Sequence, residues 1–120
     1  MKRTLRTLFL ALLTALTVST FASAAEGTCG DNITWYLNEA TGVLTVSGEG
    51  KLDFPVSHSV SRDPLPPGTW YDYADRIRSV IIDEGITSID AESFAELPLL
   101  ETVSIGETVT EIGWYAFTLP

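Results

Sequence analysis

The chain is poor in the residues that usually carry chemistry. Its 120 residues include one cysteine, Cys29, and one histidine, His58. A lone cysteine closes no internal disulfide, and no His/Cys cluster has the spacing of metal ligands. No Gly-rich phosphate loop is present. Strong bases are scarce too, with 7 Lys and Arg against 16 Asp and Glu and a formal net charge of −9. A surface this acidic is repelled by phosphate backbones and anionic lipids, which excludes nucleic acid and peripheral membranes as main partners.

Three of those bases, Lys2, Arg3 and Arg6, precede an apolar run from about Leu8 to Val18 and then Ala22-Ser23-Ala24. That order predicts a secretory signal peptide over residues 1–24, cut after Ala24 or Ala25. The apolar run is too short for a permanent anchor, and no second one follows, so no membrane insertion is expected after processing. The remainder keeps Lys51, Arg62, Arg76 and Arg78 and carries a net charge of −12, and it is long enough for one domain at most. Cys29, near the new N-terminus, is either a buried thiol or one half of an intermolecular disulfide.

Three zones follow. In "NITWYLNEATGVLTVSGEG", Ile33, Trp35 and Leu37 alternate with polar residues, a Gly-containing turn intervenes, and Leu44 and Val46 alternate again. Period-two runs on either side of such a turn predict a β-hairpin, placed within residues 25–50 as an N-terminal cap. Residues 51–75 are rich in Pro and Ser, and Pro66-Pro67-Gly68 forbids regular structure there. This loop ends in Trp70, Tyr71 and Tyr73, which are expected to close a core.

The third zone, 76–120, is written twice. "SVIIDEGITSIDAESF" (79–94) and "TVSIGETVTEIGWYAF" (102–117) agree at an offset of 23 residues. The shared apolar positions are Val80, Ile82, Ile86, Ile89 and Phe94, then Val103, Ile105, Val109, Ile112 and Phe117. A period in the low twenties is that of leucine-rich repeats, so these ten residues are the expected core of two stacked coils, 76–98 and an incomplete 99–120. One coil buries too little apolar surface to offset the entropy of ordering it, so coils must share their faces. Ile105 is accordingly expected between coils, where an aspartate would bury a charge. The fold class expected is mainly β: a solenoid of about 23-residue coils behind a hairpin cap.

Catalysis is not expected. Asp83/Glu84 and Asp72/Asp75 are paired carboxylates, but acid and base roles need a cleft and two unlike environments, and acids this frequent pair by chance. His58 in "SHSVSRD" is expected to be a solvated loop residue, since triad members meet in space on a rigid scaffold. No cofactor is expected.

What remains is a surface. Ser79, Ile81, Asp83, Thr102 and Ser104 alternate with the buried strand positions and face the concave side of the expected coils. Ile81 is either a contact point or tolerated exposure. Trp114 and Tyr115 lie between Ile112-Gly113 and Phe117, where at least one points outward, to stack on a sugar ring or to pack on a further coil.

These residues resemble the BspA-like leucine-rich repeat family of mostly bacterial surface proteins. "GTCGDNITWYLNEATGVLTVSGEGKL" is similar to its N-terminal segment, "TWYDYADRIRSVIIDEGITSID" to its lead-in and first coil, and Ile112-Gly113 with Ala116-Phe117 to its "IG-x-x-AF" signature. Asp90 and Ser93 depart from the signature Gly and Ala, and Asp83 and Gly106 from a proline after the strand. Members carry many coils, so a truncated sequence is expected. The resemblance implies a secreted or cell-surface, non-catalytic adhesion module that binds an extracellular protein or glycan. The alternative is an accessory binding domain of a larger secreted enzyme whose catalytic part lies beyond residue 120, and self-association through the uncapped C-terminal coil is a further expectation.

Overall fold

The computed structural model describes residues 23–53 and 68–120. Most of the expected signal peptide, His58 and most of the Pro-rich loop lie outside these residues.

The alternating hairpin residues form β2 (Ile33–Asn38) and β3 (Val43–Gly48), paired antiparallel with Trp35 opposite Val46 and Leu37 opposite Leu44. Trp35, Leu37, Leu44 and Val46 all point into the core. Asn38 tightens the turn by accepting the Ala40 N–H at 3.0 Å through its side-chain oxygen. A third strand precedes them: β1 (Ala24–Thr28) pairs antiparallel with β2, Ala25 opposite Leu37 and Gly27 opposite Trp35. The strand therefore begins within the last residue of the segment expected to be leader.

The repeat builds two ladders. After β4 (Gly50–Leu52), the copies contribute β5 (Ser79–Ile82) and β6 (Ile86–Ile89), then β7 (Thr102–Ile105) and β8 (Glu111–Ile112). β5 and β7 pair parallel, Val80 on Val103 and Ile82 on Ile105, and β6 and β8 pair Ile89 on Ile112. Each residue thus meets its own counterpart 23 positions on. The sheets run β1-β2-β3-β5-β7 and β4-β6-β8.

The hairpin takes part in this stack. β3 pairs parallel with β5, Leu44 on Val80 and Val46 on Ile82, and β4 pairs parallel with β6, Leu52 on Ile89. β3 and β4 therefore form a layer under the first repeat, although their spacing to it is not 23. Gly85 turns the chain between β5 and β6 at φ +108°, and a Cβ there would collide with the Gly48 carbonyl of the layer below.

Aromatic residues complete this lower layer. A 3₁₀ segment, Trp70–Arg76, kinks at Tyr73 and is capped by Thr69, whose hydroxyl accepts the Tyr71 N–H at 3.2 Å. It carries Trp70, 1% exposed, onto Phe94. Trp70 donates its indole N–H to Ser93 O at 3.0 Å and Tyr71 its hydroxyl to Ala95 O at 2.5 Å. Trp35 meets Trp70 edge-on at 6.3 Å.

Burial divides the ten expected core residues. Val80, Ile82, Ile86, Ile89 and Phe94 are buried, each 2% exposed or less. Val103, Ile105 and Ile112 hold the repeat register yet are 39%, 38% and 52% exposed, and Val109 and Phe117 are only partly buried. The expectation that Ile105 is sealed between coils is corrected here. Apolar faces are covered only where a layer lies on each side, and among the described residues none lies beyond β7 and β8.

Candidate functional site

The outward rows of the five-stranded sheet form a continuous surface. Because strand side chains alternate, the residues between buried positions share one face. One row runs Glu26, Tyr36, Thr45, Ile81 and Ser104 across all five strands. A second runs Asn38, Val43, Ser79 and Thr102, and a third places Thr34 opposite Ser47. Four of the five residues expected to bind, Ser79, Ile81, Thr102 and Ser104, thus come together on this face.

Asp83 lies just beyond β5 and accepts the Ser47 hydroxyl at 2.6 Å, so it holds the turn above the sheet. Ser79 and Thr102 place their hydroxyls 2.7 Å apart, linking consecutive layers. Ile81 is half-buried between its row neighbours Thr45 and Ser104, whereas Thr102 and Ser104 are exposed. The face is short-chained and hydroxyl-rich, with one large aromatic, Tyr36, at 46% exposure. Such a surface offers donors and acceptors on a rigid backbone and little charge at its centre.

Tyr36, Thr45 and Thr34 were missed by the sequence reading. Their alternation was visible, but only the parallel pairing of β3 with β5 brings the hairpin face into the plane of the repeat face. No local pattern encodes that junction.

The other sheet borders a groove of about 470 Å³ lined by Lys51, Asp53, Ser88, Asp90, Glu111 and Trp114 among others. Trp114 in this lining is 82% exposed, and the next residue, Tyr115, is 64% exposed. One member of each carboxylate pair weighed for catalysis holds backbone. Asp72 accepts the Gly68 N–H at 2.9 Å and Glu84 accepts the Glu107 N–H at 2.7 Å. Among the described residues no group of three or more His, Cys, Asp or Glu is placed to hold a metal, and no helix is long and apolar enough to cross a membrane.

Cys29 is buried, 7% exposed, and its thiol donates to Asp53 O at 3.2 Å. Burial first, and the Asp53 and Asp90 carboxylates second, push its pKa up to about 11. A thiol held protonated is a poor nucleophile and a slow partner in disulfide exchange.

No family model and no curated protein matches the chain. Among solved structures it is similar to a leucine-rich repeat protein from Eubacterium ventriosum, with a TM-score of 0.65 and 30% sequence identity over 80% of this chain. The chain spans 26% of that protein's length. A mainly β chain whose strands stack at an offset of 23 residues, and which aligns with such a protein at this identity, is supported as a protein of the leucine-rich-repeat type.

Proposed function

We propose that the chain is the N-terminal part of a secreted or surface-exposed, BspA-like leucine-rich repeat solenoid that binds an extracellular protein without catalysing a reaction. The parallel register at a constant 23-residue offset supports this, because it continues one outward face from layer to layer. Repeats of this kind set a surface shape, and exposed side chains select the ligand. Here the selecting side chains are Tyr36, Thr45, Ile81, Thr102 and Ser104. The β1-β2-β3 antiparallel cap closes one end of the stack and positions Tyr36 beside the repeat face.

The test compares two variants of the purified protein. Ser104→Arg puts a long charged side chain on the proposed face, and Ala91→Arg puts the same group on an exposed turn away from it. Both are used as bait on surface-labelled extracellular proteins, and binders are quantified against wild type. Loss of a binder with Ser104→Arg and its retention with Ala91→Arg is the expected result. Equal retention by both variants overturns the assignment of the face.

A further inference from the structure

We infer that the outer edge of β1 is a second binding site, which takes an extended, basic segment of a partner protein as an added strand. It goes beyond the face proposed above and does not depend on it, because the site is the edge of the sheet and its main-chain groups.

The β1–β2 ladder sets which of those groups are free. Glu39 donates its N–H to Ser23 O at 3.2 Å and Cys29 donates its N–H to Ile33 O at 2.9 Å. Both contacts keep the β1–β2 register, and hydrogen-bonded pairs alternate along an antiparallel ladder. Ala25 and Gly27 therefore exchange bonds with Leu37 and Trp35, and the N–H and C=O groups of Glu26 and Thr28 point away from β2. β1 ends the sheet, and among the described residues no strand pairs with that side. Natural edges are blunted by lysine, proline or a bulge. "AAEGT" contains neither residue, and its register with β2 is unbroken. The opposite edge, β7, holds the 23-residue register, whereas β1 lies outside it, so the repeat supplies no neighbour for β1. An edge of this kind is a template for strand addition.

Side chains beside the edge select the occupant. Glu26, Thr28, Thr34 and Tyr36 alternate onto the outward face and, with Gly27 and Trp35 between them, line a hollow of about 380 Å³. Glu26 is the one charged group in that lining, and it has no ion pair or hydrogen bond among the described residues. β1 and β2 contain no lysine or arginine, and Arg76 and Arg78 face Glu39 and Glu101 instead. A lysine or arginine on the added strand opposite Glu26 or Thr28 shares their outward face, in reach of the Glu26 carboxylate and the Tyr36 ring. The residue facing Gly27 falls on the other side, where the Trp35 indole nitrogen stands 2.7 Å from the place of a Gly27 Cβ. A β-branched residue suits that side. The partner segment therefore alternates basic and β-branched residues.

A second copy is the poorer occupant. Two β1 strands paired about a two-fold axis set Glu26 opposite or beside its counterpart, and each chain carries a net charge of −9.

The test titrates the purified protein into a fluorescently labelled peptide of about ten alternating lysines and threonines, read by anisotropy at about 0.15 M salt. Two further peptides carry N-methyl groups, one on every lysine amide and one on every threonine amide. Side chains and charge are kept, but in one of the two the donors facing β1 are gone, and its affinity should fall about tenfold or more. On the protein, Thr28→Pro removes an edge N–H that makes no bond within the sheet, and its denaturant midpoint should stay near that of wild type. Thr28→Pro and Glu26→Lys should each weaken the unmodified peptide about tenfold or more, whereas Glu107→Lys, the same charge change on an exposed turn, and Ser104→Arg should stay within about threefold. Equal affinity for all three peptides reduces binding to charge attraction and overturns strand addition. Equal losses in Glu26→Lys and Glu107→Lys overturn the choice of a basic partner at this edge. No binding of the unmodified peptide overturns the site, and a wild-type dimer that Thr28→Pro dissolves makes a second copy the occupant and overturns the basic segment.

Discussion

The indole of Trp70 lies on the ring of Phe94, centroids 5.0 Å apart and planes 13° from parallel, and Phe94 lies on Phe117 in the same way at 5.2 Å and 8°. The three rings form one column through three layers. Trp70 occupies the lower layer, the place that Phe94 and Phe117 take in the two copies, so the loop before the repeat supplies the ring that closes its end.

Trp70→Ala should therefore destabilise the protein by about 3–5 kcal/mol, the range for removing a buried large aromatic. Trp70→Phe keeps the stacking but loses the bond to Ser93 O and some volume, and should cost less. Denaturant midpoints of the two variants check this, and a wild-type midpoint for Trp70→Ala would remove the column from the account of stability.

Ile82 and Ile105 are counterparts in the two copies but sit in unlike surroundings, 1% and 38% exposed. Ile82→Asp buries an unpaired charge and should abolish cooperative unfolding. Ile105→Asp leaves its carboxylate in reach of water and should cost much less. Melting curves recorded side by side decide the matter, and two equal losses would mean that the outer layer is covered in solution.

Gly113 packs against the previous turn so closely that an added Cβ would collide with the Ala91 backbone nitrogen. Its N–H also donates to Ile89 O at 2.8 Å, which fixes the approach. Gly113→Ala should cost about 1–3 kcal/mol through overpacking against backbone that cannot move aside. An exposed control, Glu111→Ala, should change the denaturant midpoint little.

Alkaline pH should weaken the fold. The Cys29 thiol titrates at about 11 when folded against an ordinary value of 9.0. Burial, with Glu96 and Glu92 nearby, also raises the Tyr71 phenol above its ordinary 10.0. Between pH 9 and 11 the unfolded chain has released a thiol proton that the folded chain still holds, so stability falls as pH rises through that window. Urea midpoints at several alkaline pH values should decline in wild type, and less steeply in Cys29→Ala. Parallel declines would assign the effect elsewhere.

Much of the fold was legible residue by residue. The alternation around Trp35 and Leu44 marks β2 and β3, and the offset of 23 marks β5 with β7 and β6 with β8. Less legible was β4, which starts at the last residue of the expected cap and runs into the stretch expected to be loop. The strand β1 was hidden because "AAEGT" has no apolar alternation and is ordered by pairing with β2. Glu92 and Tyr115, 23 residues apart, adopt the same left-handed backbone at φ 59° and 56°. Their side chains share nothing, so the turn is set by stacking, through bonds such as Glu92 N–H to Trp114 O.

By itself the sequence determined the period, the face each strand residue takes, and the acidic charge balance. These follow from local backbone geometry and from charge, which need no knowledge of neighbours. Only the tertiary structure decided that β3 and β4 form the lowest layer, that Trp70 ends the aromatic column, and that Tyr36 joins Ser104 on one surface. It also decided which repeated residues are buried. Burial belongs to a layer and its neighbours together, so identical positions such as Ile82 and Ile105 part company where the stack is open.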